Sequence, residues 1–320
     1  MTRASDGTEL TRTEVAARAF TRGVVRRTLD GSLSMPAARK LQDALGGSIG
    51  TLRHRVEVRH GHIAGVPVEV LRARGRAAHR EGDPHVLLYV HGGGFVVGSP
   101  RSHRGLTAAL AGAADATVVV ADYRLAPEHP FPAAADDVRA VHGALLERAP
   151  QRLTLAGDSA GGNLAIGLAV ALRDAGDTSI AAVGAISPFV DLTTPEGSWD
   201  TSDDPLLVRG GFDAVGDYLA GAYDPTDPLV SPRWADLTSL PPTLVQVGGA
   251  EALRDDAFAY VDAAAEAGGD VHLQVWPGMW HVHQVFVGML PAADRAVADL
   301  GRFLATGALP ADARPAGRHR

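Results

Sequence analysis

Leu153-Thr154-Leu155-Ala156-Gly157-Asp158-Ser159-Ala160-Gly161-Gly162-Asn163 is the stretch that decides how the rest of the chain is read. An apolar, strand-like run stops at Gly-Asp-Ser-Ala-Gly, and an alanine-rich, helix-like run begins at once. This is a G-x-S-x-G nucleophile elbow in its strand–turn–helix setting. The serine occupies a sharp, strained turn that lifts its hydroxyl clear of the sheet. Gly157 and Gly161 let strand and helix pass without a side-chain clash. Five residues of this kind also arise by chance in an Ala/Gly-rich chain, so Ser159 needs partners elsewhere.

The alternation around the elbow supplies the fold. Short apolar runs suited to buried parallel strands are His85–Val90, Thr117–Ala121, Leu153–Ala156, Ala181–Ile186, Thr243–Val247 and Val271–Val275. Helical stretches separate them at Ser102–Ala114, Ala133–Arg148, Ser159–Asp174 and Asp255–Ala267, and a last helix runs from about Ala292 to Leu304. The pattern predicts a mainly parallel α/β sheet with helices on both faces. Upstream, Leu52–Arg59 and Val66–Arg72 read as an antiparallel pair, and Arg74–Pro84 as a surface loop. Residues 8–46 have helical spacing and form a separate layer; Met35-Pro36 opens a second helix that stops at Gly46-Gly47. Between Ile186 and Pro242 the alternation breaks, with one helical piece near Phe212–Ala220. A loop that long reads as a functional insertion beside the site. Residues 307–320 read as a flexible tail.

Composition narrows the function classes. The chain has 320 residues, 46% hydrophobic and 21% charged, which suits a soluble globular protein with a large core. Its net charge of −7 gives a nucleic-acid role no electrostatic support. Residues 1–60 carry +5 and the remainder −12, an asymmetry that a solvated helical face explains. Cys is absent, which excludes disulfides, thiolate chemistry and Cys-ligated metals. The polar start Met1-Thr2-Arg3-Ala4-Ser5-Asp6 lacks an apolar signal core, and no run approaches the 18 apolar residues of a membrane span. The expectation is a cytoplasmic protein without stable membrane insertion.

In open α/β sheets, ligands lie beyond the carboxyl ends of the strands. After the first parallel strand comes His91-Gly92-Gly93-Gly94-Phe95, whose glycines leave backbone N–H groups free to approach an oxyanion; Ala160 N–H is the second component. His91 reads as a brace for this loop, since the base comes last in chain order. Beyond Thr243–Val247 lies Gly248-Gly249-Ala250-Glu251-Ala252-Leu253-Arg254-Asp255-Asp256. Glu251, nearest the strand end, is the preferred orienting carboxylate, with Asp255 the alternative; Asp255 and Asp256 also suit the N-terminus of the next helix. Beyond Val271–Val275, Trp276-Pro277-Gly278-Met279-Trp280-His281-Val282-His283 offers two bases. His281 directly follows the turn and is preferred over His283. A zinc pair from the two is disfavoured because no third ligand is evident.

With these motifs assembled, the chain resembles the hormone-sensitive-lipase-like family of α/β-hydrolases, a group of bacterial carboxylesterases. The motifs are His91-Gly92-Gly93-Gly94-Phe95, Asp122-Tyr123-Arg124-Leu125-Ala126-Pro127-Glu128, Phe131-Pro132-Ala133-Ala134, Gly157-Asp158-Ser159-Ala160-Gly161-Gly162-Asn163 and Trp276-Pro277-Gly278-Met279-Trp280-His281, spread over roughly residues 50–305. The resemblance implies an α/β-hydrolase fold with an eight-stranded, mainly parallel sheet and a helical cap. The cap would comprise residues 1–50 and an insertion at about 190–235, with the catalytic domain over 51–306. It implies Ser159 as nucleophile, His281 as base, and Gly93, Gly94 and Ala160 as oxyanion donors. Many members of the family carry Asp-Pro-Leu where this chain reads Glu251-Ala252-Leu253.

The expected reaction is hydrolysis of short- to medium-chain carboxylic esters through a Ser159–His281–Glu251 triad and an acyl-enzyme, with a small-molecule ester as the partner. It needs no metal or organic cofactor. Rival readings on the same fold are a lactonase, lyase or cyclase with a specialised substrate, a lipase, and a non-catalytic ligand-binding homologue. The sequence leaves open whether the chain forms a homodimer.

Overall fold

The computed structural model describes residues 2–46, 56–73, 84–193, 197–209, 213–221 and 223–315. Strands β1 (Val56–Ile63) and β2 (Val66–Ala73) form the early hairpin. The parallel strands are β3 (Val86–Val90), β4 (Thr117–Ala121), β5 (Leu153–Asp158), β6 (Ile180–Ile186), β7 (Thr243–Gly248) and β8 (Val271–Trp276). With a ninth strand, β9 (Arg314–Pro315), at one edge, the sheet order is β1-β2-β4-β3-β5-β6-β7-β8-β9, with β2 antiparallel to β4 and β4 through β8 parallel. Residues 52–55 of the first expected strand and 74–83 of the expected loop lie outside the described residues.

The ninth strand, β9 (Arg314–Pro315), is an addition to the eight expected from sequence. It pairs antiparallel with β8, His272 opposite Pro315 and Leu273 opposite Arg314. The flexible tail expected over 307–320 is therefore tied to the sheet edge at these two residues. A two-residue pairing carries no periodicity that sequence reading detects.

Every residue of β3, β4 and β5 is buried, so alternate side chains face two separate cores. On one face Leu88, Val90, Val119 and Leu155 pack against Val138 and Val141 of α4 (Ala133–Leu146) and Leu164 and Leu168 of α5 (Ala160–Asp174). On the other, Leu87, Tyr89, Val118 and Val120 meet Leu106 and Leu110 of α3 (Pro100–Ala113) and Leu300 and Phe303 of α9 (Pro291–Thr306). Each such fully buried side chain contributes about 1.5–3 kcal/mol. This two-sided burial is why the strands read as continuous apolar runs.

Helix α1 (Arg12–Gly23) starts at a Thr11/Glu14 capping box and leads through a 3-10 turn, Val25–Thr28, to α2 (Met35–Gly46). These elements lie over the carboxyl ends of the parallel strands. Arg39 of α2 fixes that position: it donates to the Val96 and Ala126 carbonyls at 2.8 and 2.9 Å and pairs with Glu128 at 2.7 Å. The segment after β6 carries α6 (Ser198–Thr201) and α7 (Asp213–Leu219), which falls within the helical piece expected near 212–220; residue 212 lies outside the described residues. Helix α8 (Arg254–Glu266) follows β7. Among the described residues, no helix is long and apolar enough to cross a membrane.

Candidate active site

Ser159 sits between β5 and α5 at φ 53°, ψ −120°, a conformation that costs a non-glycine residue about 1–3 kcal/mol. The turn is held by Ser159 N–H donating to the Ile186 carbonyl (2.9 Å) and Phe189 N–H donating to the Ser159 carbonyl (3.1 Å). A Cβ on Gly161 would lie 2.1 Å from the Val90 carbonyl oxygen, and one on Gly157 would lie 2.3 Å from that of Gly161. The two glycines are therefore what lets the first turn of α5 press against the end of β3. That contact sets Ser159 beside the His91–Phe95 loop.

In that loop Gly93 and Gly94 have φ of 123° and 60°, and Gly93 O accepts from Val96 and Val97 N–H at 3.2 and 3.0 Å. None of the hydrogen bonds closing this turn is donated by the N–H of Gly93, Gly94 or Ala160. His91 is buried with Nδ1 2.9 Å from the Gly92 carbonyl, and its ring stacks on Tyr123 at 4.2 Å. Burial and the neighbouring His103 push its pKa down to about 3, so it is neutral. Its place is that of a brace, as the sequence suggests.

His281 follows β8. Its Nε2 lies 2.9 Å from Ser159 Oγ. Its Nδ1 lies 3.6 Å from Oε1 of Glu251, and both residues are buried. At that distance the two form an ion-pair contact longer than a hydrogen bond, and among the described residues neither Nδ1 nor Oε1 has a hydrogen-bond partner, so the histidine nitrogen and the carboxylate oxygen face each other unshared. Burial alone would lower the His281 pKa. Hydrogen bonding and charge from Glu251, reinforced by Asp204 and Asp158, outweigh it and hold the pKa above the ordinary value.

Glu251 accommodates its extra methylene by turning its second oxygen into its own loop. Oε2 accepts from Gly248 N–H at 2.7 Å and from Ser187 Oγ at 2.8 Å. The acid and histidine loops are laced together by Gly249 N–H to the Trp276 carbonyl and Ala250 N–H to the Met279 carbonyl, both 2.9 Å. Asp255 and Asp256 occupy the first turn of α8, and Asp255 pairs with Arg254 at 2.9 Å. His283 is fully buried away from Ser159, near Trp276, and burial lowers its pKa to about 3.

Behind the nucleophile lies a buried ion pair. His103 Nε2 is 3.2 Å from Asp158 Oδ2, while Asp158 Oδ1 accepts from Tyr89 Oη (2.7 Å) and Gly92 N–H (3.0 Å). Burial opposes the charge on both groups, but each partner's charge prevails: His103 is raised and Asp158 lowered. The elbow's Asp158 thus ties Ser159's strand to the glycine loop. His103, Ser187 and Asp204 are members of this site that the sequence reading did not single out. Ser187 does stand at a strand's carboxyl end, where strand-end reasoning could have found it.

Ser159 and His281 open into a cleft of about 820 Å³, counting its mouth. Its walls are mainly apolar: Val25, Leu29, Leu45, Leu106, Leu206 and Phe286. The arrangement brings together a serine hydroxyl, an imidazole acceptor and a carboxylate behind it, with nearby N–H groups of Gly93, Gly94 and Ala160 that close none of the turn's hydrogen bonds among the described residues, the parts needed for acyl transfer.

The family profile described as alpha/beta hydrolase fold matches residues 87–285. An acetyl-hydrolase of Streptomyces hygroscopicus is 47% identical over 70% of this chain and 76% of its own. An esterase of Acinetobacter venetianus is 37% identical over 78% of this chain and 82% of its own. Among solved structures, an esterase from the bacterial hormone-sensitive lipase family aligns with a TM-score of 0.84 and 38% identity, covering 93% of this chain and 99% of that one.

Proposed function

The chain belongs to the bacterial hormone-sensitive-lipase family of α/β-hydrolases and is a carboxylic ester hydrolase; from that premise we propose that it cleaves short- to medium-chain esters through Ser159, His281 and Glu251. The observation that carries this reading is the 2.9 Å contact between His281 Nε2 and Ser159 Oγ, backed by the isolated Nδ1–Oε1 pair. Ser159 Oγ attacks the ester carbonyl carbon as its proton passes to His281 Nε2. The carbonyl electron pair moves onto oxygen, which the N–H groups of Gly93, Gly94 and Ala160 receive. Collapse of this intermediate expels the alcohol, protonated by His281, and leaves the acyl group on Ser159. Water then gives a proton to His281 Nε2 as it attacks the acyl carbon; the acyl–Oγ bond breaks, the acid leaves, and His281 returns the proton to Ser159 Oγ. Glu251 holds the imidazole's tautomer and favours its cationic form. The described residues of the segments 1–50 and about 190–235 act as the cap that shapes the cleft, which Val25, Leu29, Leu45 and Leu206 line from that side.

Ser159→Ala is expected to lower kcat/KM on p-nitrophenyl butyrate by about 10⁴–10⁶-fold. Turnover within tenfold of the parent protein would refute the triad. Across p-nitrophenyl esters from acetate to palmitate, efficiency is expected to peak at or below eight carbons; a maximum at palmitate would contradict the short-chain assignment.

A further inference from the structure

We propose that Asp204, in the segment between α6 and α7, is a positioning residue for the reaction: its carboxylate ties the loop bearing Glu251 to the loop bearing His281. The inference rests on the triad reading above. Asp204 is buried, and its Oδ2 accepts two backbone N–H groups, from Ala252 at 3.0 Å and from His281 itself at 3.3 Å. Its Oδ1 accepts from Leu206 and Leu207 N–H at 2.8 and 3.2 Å. One oxygen therefore spans the residue after Glu251 and the catalytic imidazole's own backbone, while the other seals the turn that delivers it.

The acid and the base stand on loops that leave different strands, β7 and β8. Their Nδ1–Oε1 separation of 3.6 Å depends on how those loops are placed relative to each other. A shared acceptor fixes that relation directly, and a displacement near 1 Å costs an enzyme about 10²-fold in rate. The carboxylate is itself held from behind. Arg26 donates to the Asp204 and Pro205 carbonyls at 2.7 and 2.8 Å, while Arg18 and Arg22 donate to the Asp203 carbonyl at 2.8 and 3.3 Å. Arginines four residues apart, running from α1 into the following turn, thereby connect the N-terminal layer to the catalytic loops.

Asp204 also adds negative charge close to the imidazole. The charged groups facing His281 are Glu251, Asp204 and, across the cleft, Asp158 with its partner His103; Arg18 lies over the adjacent Trp280 at 5.7 Å. Asp204 is among the groups that favour the imidazolium. Neutralising it should therefore lower the pKa of His281.

The test is the pH dependence of kcat/KM on p-nitrophenyl butyrate for Asp204→Asn beside the parent protein. The expected result is a fall of about 10–100-fold carried mainly by kcat, with the acid limb displaced to lower pH. A folded Asp204→Asn protein with an unmoved acid limb, or with undiminished kcat/KM, overturns the proposal. Arg26→Met keeps the carboxylate but frees the backbone behind it. It should lower kcat severalfold without moving the acid limb. If Asp204→Asn does not fold, full activity in Arg26→Met overturns the proposal on its own. Ser159→Ala run alongside separates the two readings: an inactive Ser159→Ala with an unaffected Asp204→Asn sinks only the role of Asp204.

Discussion

Ser187 donates its hydroxyl proton to Glu251 Oε2 at 2.8 Å, while its Oγ accepts the Val282 N–H at 3.2 Å. One hydroxyl thus touches both the acid and the residue after the base. It aims the remaining oxygen of Glu251, Oε1, at His281.

A hydrogen bond to a charged group is worth about 1.5–3 kcal/mol. Ser187→Ala should therefore lower kcat by about tenfold or more and leave KM within about threefold. Glu251→Ala removes the carboxylate itself and is expected to cost at least about 10³-fold, whereas Asp255→Ala, which removes a carboxylate paired with Arg254 on the first turn of α8, should stay within about threefold. The three variants are compared by steady-state kinetics on one ester. A larger loss in Asp255→Ala than in Glu251→Ala would mean that the acid is misassigned.

The contrast between Glu251 and Ser187 shows what is legible in this sequence. Strands β3 to β8 are readable because burial makes them predominantly apolar, completely buried in β3, β4 and β5, while Gln246 and Gln274 interrupt β7 and β8. Ser159, Glu251 and His281 are readable because each stands just past its own strand. Ser187 stands there too, yet one hydroxyl in that position has no distinctive spacing. Asp204 is harder still. It binds backbone N–H groups at Ala252 and His281, which every non-proline residue presents, so no matching side chain marks its partner. His103 reaches Asp158 from α3 across the sheet, a pairing of residues 55 positions apart that local periodicity does not register.

Gln42 of α2 offers a test of the cleft. Its Oε1 is buried against an otherwise largely apolar wall and has no hydrogen-bond partner among the described residues. The other wall hydroxyls are satisfied: Thr21 donates to the Ala17 carbonyl at 2.8 Å and Ser102 to that of Ser99 at 2.8 Å. A substrate with a plain alkyl chain leaves that oxygen unpaired, at a cost of about 1–3 kcal/mol. Gln42→Leu should then raise kcat/KM on p-nitrophenyl butyrate and hexanoate by about 2–10-fold, chiefly through KM. An equal or lower efficiency on both esters would show that the amide does not face the bound chain.

The His103–Asp158 pair predicts how stability follows pH. His103 has a folded pKa above its unfolded value, so its contribution is complete below about pH 6.5 and is lost as pH rises through the folded value. Asp158 has a folded pKa below its unfolded value, so its contribution is complete above about pH 3.9 and is lost as pH falls through the folded value. The pair is at full strength between these limits. Both side chains are buried, and removing one partner of such a pair costs about 3–5 kcal/mol. With an unfolding entropy of about 2.1 cal/mol/K per residue, His103→Gln should lower Tm by about 4–7 °C at pH 5.5. The gap should narrow toward pH 9.5, as His103 in the parent protein gives up its proton and leaves Asp158 without a cation in both proteins. Thermal unfolding at the two pH values decides the matter: a gap of the same size at both would mean that His103 supports the fold by packing rather than by its charge.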